Sequence, residues 1–183
     1  ELIIDRSTVS HNTSNGALGN GGGVYNQGGR VTLQYSTISG NSSLNNGGGF
    51  FNNGFARIEA STLGANRANA DGGGFFQENA SDSVRLLSSI IAVNTAANAT
   101  DIGNLNGTVF SEGYNLIGFD NANVFTVATG DTVGTAAALN AGLDTLAGNG
   151  GLTKTHKIQC TSPAFNAGAP SLSQNDQRDS LIF

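Results

Sequence analysis

Acid–base chemistry on a polysaccharide requires either carboxyl groups that converge on one bond or acid-bound Ca2+ beside an Arg or Lys base. This chain of 183 residues offers little material for either. Asp71 is the acidic residue that falls at a repeat corner, and Arg57 with Glu59 is the one opposite-charge pair inside a predicted strand. Arg57 and Arg85 each stand four residues before a serine (61 − 57 and 89 − 85), so in a repeat they stack on one outward face with Arg30 near them. Such a basic stripe suits a carboxylated glycan, or else consists of solvated arginines paired with Glu59 or Glu78. Tyr25, Phe51 and Phe76 align in the same way, and an exposed aromatic column stacks on sugars or buries against a protein. A loop of the same chain laid over them is the competing reading. Thr8, Thr37 and Thr62 make an outward hydroxyl row of the kind that binds ice on flat solenoids, although the row breaks at Ile90.

Other chemistries are poorly served. His11 and His156 are the two histidines and Cys160 the single cysteine, so there is no zinc-type His/Cys cluster and no intrachain disulfide. The glycine triplets recur as turns, which excludes reading them as a phosphate-binding loop, and the Gly-Gly-x-Gly-x-Asp calcium repeat is missing. No cofactor and no metal are expected. A net charge of −5 provides no footprint for nucleic acid or anionic lipid. No apolar run approaches the roughly 20 residues that cross a bilayer.

The elements that position these groups follow from two travelling phrases. The first is Gly21-Gly22-Gly23-Val24-Tyr25-Asn26, Gly47-Gly48-Gly49-Phe50-Phe51-Asn52 and Gly72-Gly73-Gly74-Phe75-Phe76-Gln77, at spacings of 26 and 25 residues (47 − 21 and 72 − 47). The second contains Ser-Thr-Val/Ile/Leu and ends on Asn12, Asn41, Asn66 and, more weakly, Asn94. A fixed period of this size marks a solenoid. Each unit holds short runs of alternating polar and apolar residues that cannot bury a face alone, so coils about 4.8 Å apart must stack to bury Val9, Ile38, Leu63 and Ile91 as one column. The expected fold is an all-β, right-handed parallel β-helix with coils of 25–29 residues and a loop-rich C-terminal cap. Residues 1–130 form the coils, opening inside a repeat as though cut from a longer protein, and residues 131–183 form a loop and capping segment. Val124-Phe125-Thr126-Val127 reads as a strand continuing the coil, and Ala136–Leu139 suggests one helical turn.

Stacking places Asn12, Asn41, Asn66 and Asn94 at one corner, where each amide bonds to the backbone and to the amide above it. An internal asparagine ladder is therefore predicted, and the sequons at Asn12 and Asn41 become incidental; others lie at Asn79, Asn98 and Asn106. Asn20, Asn46 and Asp71 serve as turn residues before the triplets.

The C-terminal third adds Asn115-Leu116-Ile117-Gly118, the run from Leu146 to His156, Ser162-Pro163-Ala164-Phe165-Asn166-Ala167-Gly168 and Asp176-Gln177-Arg178. With the upstream repeats, nearly the whole chain resembles bacterial surface proteins that carry a choice-of-anchor domain on a right-handed parallel β-helix. The repeats are similar to those of polymorphic outer-membrane adhesins. The family's usual Asp-Gln-Arg-Gly differs here, where Asp179 follows Arg178. The resemblance implies secretion, an extracellular or cell-surface location with the anchor type open, and no catalytic residues. The expected role is thus a non-catalytic structural or adhesive β-helix that binds protein or polysaccharide and can self-associate. A polysaccharide lyase, a glycoside hydrolase or a binding module thereof is the alternative, since this architecture also hosts such enzymes.

Overall fold

The structure is a computed structural model that describes residues 1–79, 83–170, 172, 177 and 178. Asp176, Asp179 and the remainder of the C-terminal tail, with part of the Asn79 sequon, lie outside the described residues. Among these residues there is no helix, and the chain winds as a parallel β-solenoid of about four turns. Sheet A contains β1 (Leu2–Asp5), β4 (Val24–Gln34), β7 (Phe50–Glu59), β10 (Phe75–Gln77), β11 (Ser83–Leu87), β13 (Ile102–Asn104) and β14 (Thr108–Ser111). Sheet B contains β2 (Thr8–Ser10), β5 (Thr37–Ser39), β8 (Thr62–Gly64), β12 (Ile90–Ala92), β15 (Leu116–Ile117) and β16 (Thr132–Val133). A short sheet C joins β3 (Thr13–Ser14), β6 (Ser42–Ser43) and β9 (Arg67–Ala68).

Register fixes the coil length. Thr8 pairs with Thr37, Thr37 with Thr62, Thr62 with Ile90 and Ile90 with Leu116, steps of 29, 25, 28 and 26 residues by subtraction. The next step, Leu116 to Thr132, is only 16, so the winding tightens after β15. Every named ladder is parallel, hence each coil's backbone donors and acceptors are satisfied by its neighbours rather than within the coil.

Alternation decides what enters the interior. Ile38, Leu63, Ile91 and Ile117 of sheet B meet Leu33, Ile58, Leu86, Phe50 and Phe75 of sheet A in one continuous core, with Val9 partly buried against it at the lower end. The upper end is closed by Phe125, which packs into this core with Val124 and Val133 beside it. The Val124–Val127 segment is therefore a plug and not a strand. Asp120 makes the plug's turn, its Oδ1 and Oδ2 each accepting at 3.0 Å from the N–H of Val124 and Phe125. The stretch Ala136–Leu139 bends without forming a helical turn.

The C-terminal segment does not sit on top of the last coil. It runs back down the outside of sheet B: Ala141, Leu143, Ile158 and Ala164 pack on Ile90, Ala92 and Leu116. Further down, His156 meets Ser39, and Thr153 and Lys154 reach Arg6 and Thr8 of the first coil. A cap that stacked on the last coil would satisfy one set of edge groups, whereas this strap covers outward apolar side chains of β12 and β15 and reaches the first coil through polar contacts.

Candidate functional site

The asparagine column is a hydrogen-bonded ladder. The Nδ2 of Asn12 donates to Oδ1 of Asn41, Asn41 to Asn66 and Asn66 to Asn94, each at 3.0 Å. The backbone N–H of each lower asparagine donates to the same oxygen, and the Nδ2 groups of Asn41, Asn66 and Asn94 also reach the carbonyls of Val9, Ile38 and Leu63 in the coil beneath. Asn12 is exposed, while the other three are buried. The residue before each asparagine, His11, Gly40, Ala65 or Val93, has φ between 57° and 68°, which turns the chain so that the amide points inward along the axis.

Two further polar columns escape the sequence reading. Ser36, Ser61 and Ser89 accept from the N–H of Ser7, Ser36 and Ser61 at a second corner, and Asn115 and Asp131 continue this series upward. Asn26, Asn52 and Gln77 form a second buried amide ladder, with Nδ2 to Oδ1 at 2.6 Å and Nδ2 to Oε1 at 2.7 Å. It stops there: Gln77 Nε2 and Asn104 Oδ1, on consecutive rungs, are buried without partners. The signal is the last position of the glycine phrase, which is Asn, Asn and Gln in its three copies. Asn20 and Asn46 do act at the turn, since Asn46 and Asp71 donate their N–H groups to the side-chain oxygens one coil below. Gly47 has φ 67° at this turn, and Gly48 lies so close to the next coil that a Cβ would sit 2.3 Å from the Arg67 carbonyl carbon.

Tyr25, Phe51 and Phe76 do stack, with ring centroids 5.2 and 5.6 Å apart. They do not form an exposed strip. Tyr25 is 51% exposed, but Phe51 is 1% and Phe76 4%. Each ring covers the face of the next, and the backbone of β13 closes the top, where a Cβ on Gly103 would lie 2.7 Å from Phe76. Val24, Phe50 and Phe75 are the inward column.

The aromatic rings that do meet solvent beside arginine are different ones. Phe55 is 44% and Phe110 46% exposed on the outer side of sheet A. The Arg30 guanidinium lies 5.5 Å from the centroid of Phe55, its register partner, and Arg85 lies 5.5 Å from that of Phe110, again in register. Arg57 and Arg85 are themselves register partners, bridged by Glu112 at 2.9 and 3.0 Å, and Arg57 also bonds Glu59 at 2.9 Å. Glu112, not Glu78, is thus the shared counter-ion. Partial burial disfavours the Arg57 cation, yet the bond to Glu59 and the charges of Glu112 and Glu59 outweigh it and raise its pKa.

Three aspartates, of which Asp101 is buried and Asp131 and Asp71 are half-buried, serve the backbone. Asp131 accepts from the N–H of Asn115 and Ala128, and Asp101 accepts from the N–H of Asn94 and from its amide. Asp71 accepts from the N–H of Ala99. Glu59 and Glu112 do converge on the outer face, and both are engaged in ion pairs with the Arg57 guanidinium.

The threonine row faces the strap and not water. Thr37 is 2% exposed and donates to Gln177 Oε1 at 2.7 Å, and Thr8 donates to the Lys154 carbonyl at 2.5 Å. Between strap and sheet B lies a cleft of about 540 Å3, lined by Tyr35, Thr37, Ile90, Tyr114, Leu116 and Phe165 among others. His156 clasps the strap, with Nδ1 on the Asp144 carbonyl at 2.6 Å and Nε2 on Ser39 Oγ at 2.8 Å. The carbonyl can only accept, which places the proton on Nδ1 and leaves Nε2 to accept from Ser39. No family model, curated protein or solved structure matches this chain.

Proposed function

We propose that this chain is a non-catalytic, cell-surface β-solenoid with a structural or adhesive role, and that the outer side of sheet A is its contact face for a protein or polysaccharide. The observation that carries this reading is the Arg30, Phe55, Arg57, Arg85 and Phe110 patch: solvent-exposed aromatic rings and guanidinium groups held in register on successive coils. Aromatic and arginine side chains supply much of the binding energy at interfaces, and strand spacing repeats them regularly along one side, which suits an extended partner. The likeness of the repeats to those of outer-membrane adhesins favours the same reading and an extracellular location. Of the other aromatic column, Tyr25 is 51% exposed, whereas Phe51 and Phe76 are buried.

The test is a Phe55→Ser/Arg85→Ser/Phe110→Ser variant. Attachment to cells and binding to a glycan and matrix-protein panel are expected to fall at least tenfold with the fold intact by circular dichroism. Unchanged attachment overturns the contact face. New reducing ends or unsaturated products on incubation with polysaccharides overturn the non-catalytic role in favour of a carbohydrate-active enzyme.

A further inference from the structure

Beneath the strap the outer side of sheet B is not fully covered, and a cleft of about 540 Å3 remains. One wall of it is a corner of the coils. Tyr35, Ala60, Ser88 and Tyr114 stack there on successive coils, each N–H bonding a carbonyl of the next coil, and all four share φ between 46° and 59°. Two small residues therefore separate two tyrosines that strand spacing sets three coils, or about 14 Å, apart. The result is a notch with a phenol ring at each end. Phe165 of the strap adds a third ring to the lining, and the Ala169 N–H bonds Ser88 Oγ at 2.7 Å, which ties the strap to the notch.

We propose that this cleft binds a short oligosaccharide that carries carboxylates, an oligouronate. Thr62 and Thr132 belong to the outward row of sheet B through their pairing with Ile90 and Leu116, and they line the cleft with the two tyrosines. The hydroxyl groups of Tyr35, Thr62, Tyr114 and Thr132 bond nothing among the described residues. A purely apolar ligand would strip water from these hydroxyls and leave them unpaired. Sugar hydroxyls donate and accept in return, while the C–H faces of the sugar rings cover Tyr35, Tyr114 and Phe165. Apolar walls with a few convergent polar groups, at this volume, are the usual make-up of a small-molecule site.

Charge selects the acid. Among the described residues no Asp or Glu lines the cleft, whereas Lys157 and Arg178 do, in a chain with 13 acidic and 8 basic side chains. Lys157 is exposed and forms no ion pair among the described residues, so a carboxylate gains a charge-assisted bond there without displacing a protein partner. On sheet A, Arg57 and Arg85 are already held by Glu112, and Arg57 by Glu59 as well. The cleft therefore offers an anionic sugar a less contested cation than the open face does.

Calorimetric titration of the whole chain with cellotriose, and with the same trimer oxidised at C6 to carboxylates, tests this. The uronate is expected to bind with a dissociation constant of about 1 mM or below and at least about tenfold more tightly than cellotriose. Equal affinities, or no heat from either sugar, overturn the proposal. Ala60→Tyr puts into the notch the residue that the same corner carries at Tyr35 and Tyr114, and is expected to abolish uronate binding with an unchanged circular dichroism spectrum. Thr62→Val/Thr132→Val keeps side-chain shape and removes two hydroxyls; it is expected to weaken binding about threefold or more, and it carries the test if Ala60→Tyr does not fold. Wild-type affinity in the valine pair overturns the site. The Phe55→Ser/Arg85→Ser/Phe110→Ser variant is expected to bind the uronate as wild type does, so this site and the sheet A contact face fail separately. Loss of uronate binding in that variant would put the acid on sheet A and overturn the cleft as its site.

Discussion

On the outer side of sheet A, Phe55 and Phe110 meet solvent beside Arg30 and Arg85, whereas on the outer side of sheet B, Ile90 and Leu116 lie beneath Ala141, Leu143, Ile158 and Ala164. Both rows are outward by strand alternation and both carry large apolar side chains. The difference comes from a segment some tens of residues further along the chain, which lies across one face and leaves the other open. Outward apolar residues of sheet B are aliphatic and act as a second core, while on sheet A Phe55 and Phe110 are matched to guanidinium groups that tolerate water. A solenoid coil thus specifies its interior by itself, but which of its outer faces is surface depends on a separate strap.

The sharpest way to break this comparison is to truncate both rows. Leu116→Ala or Ile90→Ala is expected to cost roughly 2–4 kcal/mol in denaturant unfolding, close to the 2–5 kcal/mol expected for Ile38→Ala or Leu63→Ala inside the coil. Phe110→Ala is expected to cost under about 1 kcal/mol, because its ring is half in water already and loses mainly an exposed cation–π contact. Equal losses at Leu116 and Phe110 would mean that the strap does not exclude water from sheet B.

The corners predict the next largest effect and separate ladder from faces. Asn66→Ala removes acceptors for the N–H and Nδ2 of Asn41, and donors to Asn94 and to the Ile38 carbonyl, all buried. Leaving such partners unsatisfied is expected to cost about 1–3 kcal/mol. Asn12→Ala, at the exposed end, is expected to cost clearly less. Calorimetric melting of the two variants checks the gradient along the ladder.

Thr37 tests the covered face with a polar group. Sequence alternation alone makes Thr37→Ala nearly silent, but Thr37 is buried and donates to Gln177. A loss of about 0.5–1.5 kcal/mol is expected, against none measurable for Thr32→Ala at an outward position of β4. Identical unfolding midpoints for the two variants would detach Gln177 from the sheet.

What the sequence makes legible divides along the same line. The glycine and Ser-Thr-Ile phrases recur because each coil needs the same corner, so Ile38, Leu63, Asn41 and Asn66 can be assigned from period alone. Features that depend on contact between distant segments have no period. Thr37 under Gln177 and Phe125 as a plug belong to this group, and so does the loss of Phe51 to its stacked neighbours. Asp101 stands just seven residues beyond Asn94, a step no other rung takes. The second amide ladder is an intermediate case, since Asn26, Asn52 and Gln77 are visible as a column but their burial is not.

The smallest expected effect falls on the open face and bears on whether that face is free for a partner. Glu112 bridges Arg57 and Arg85 with side chains 39% and 57% exposed, against 28% for its own. Solvent screens charges at that exposure, and pairs of this kind contribute at most about 1 kcal/mol. Glu112→Gln is therefore expected to cost well under 1 kcal/mol at low ionic strength and nothing measurable in 1 M salt, where the screening distance falls to about 3 Å. The same change frees two guanidinium groups from their shared counter-ion. If sheet A is the contact face, binding of an anionic partner to Glu112→Gln is expected to strengthen while stability stays level. A stability loss above about 2 kcal/mol that persists in high salt would instead make the Arg57, Arg85 and Glu112 cluster part of the fold, and would erase the difference between the two faces.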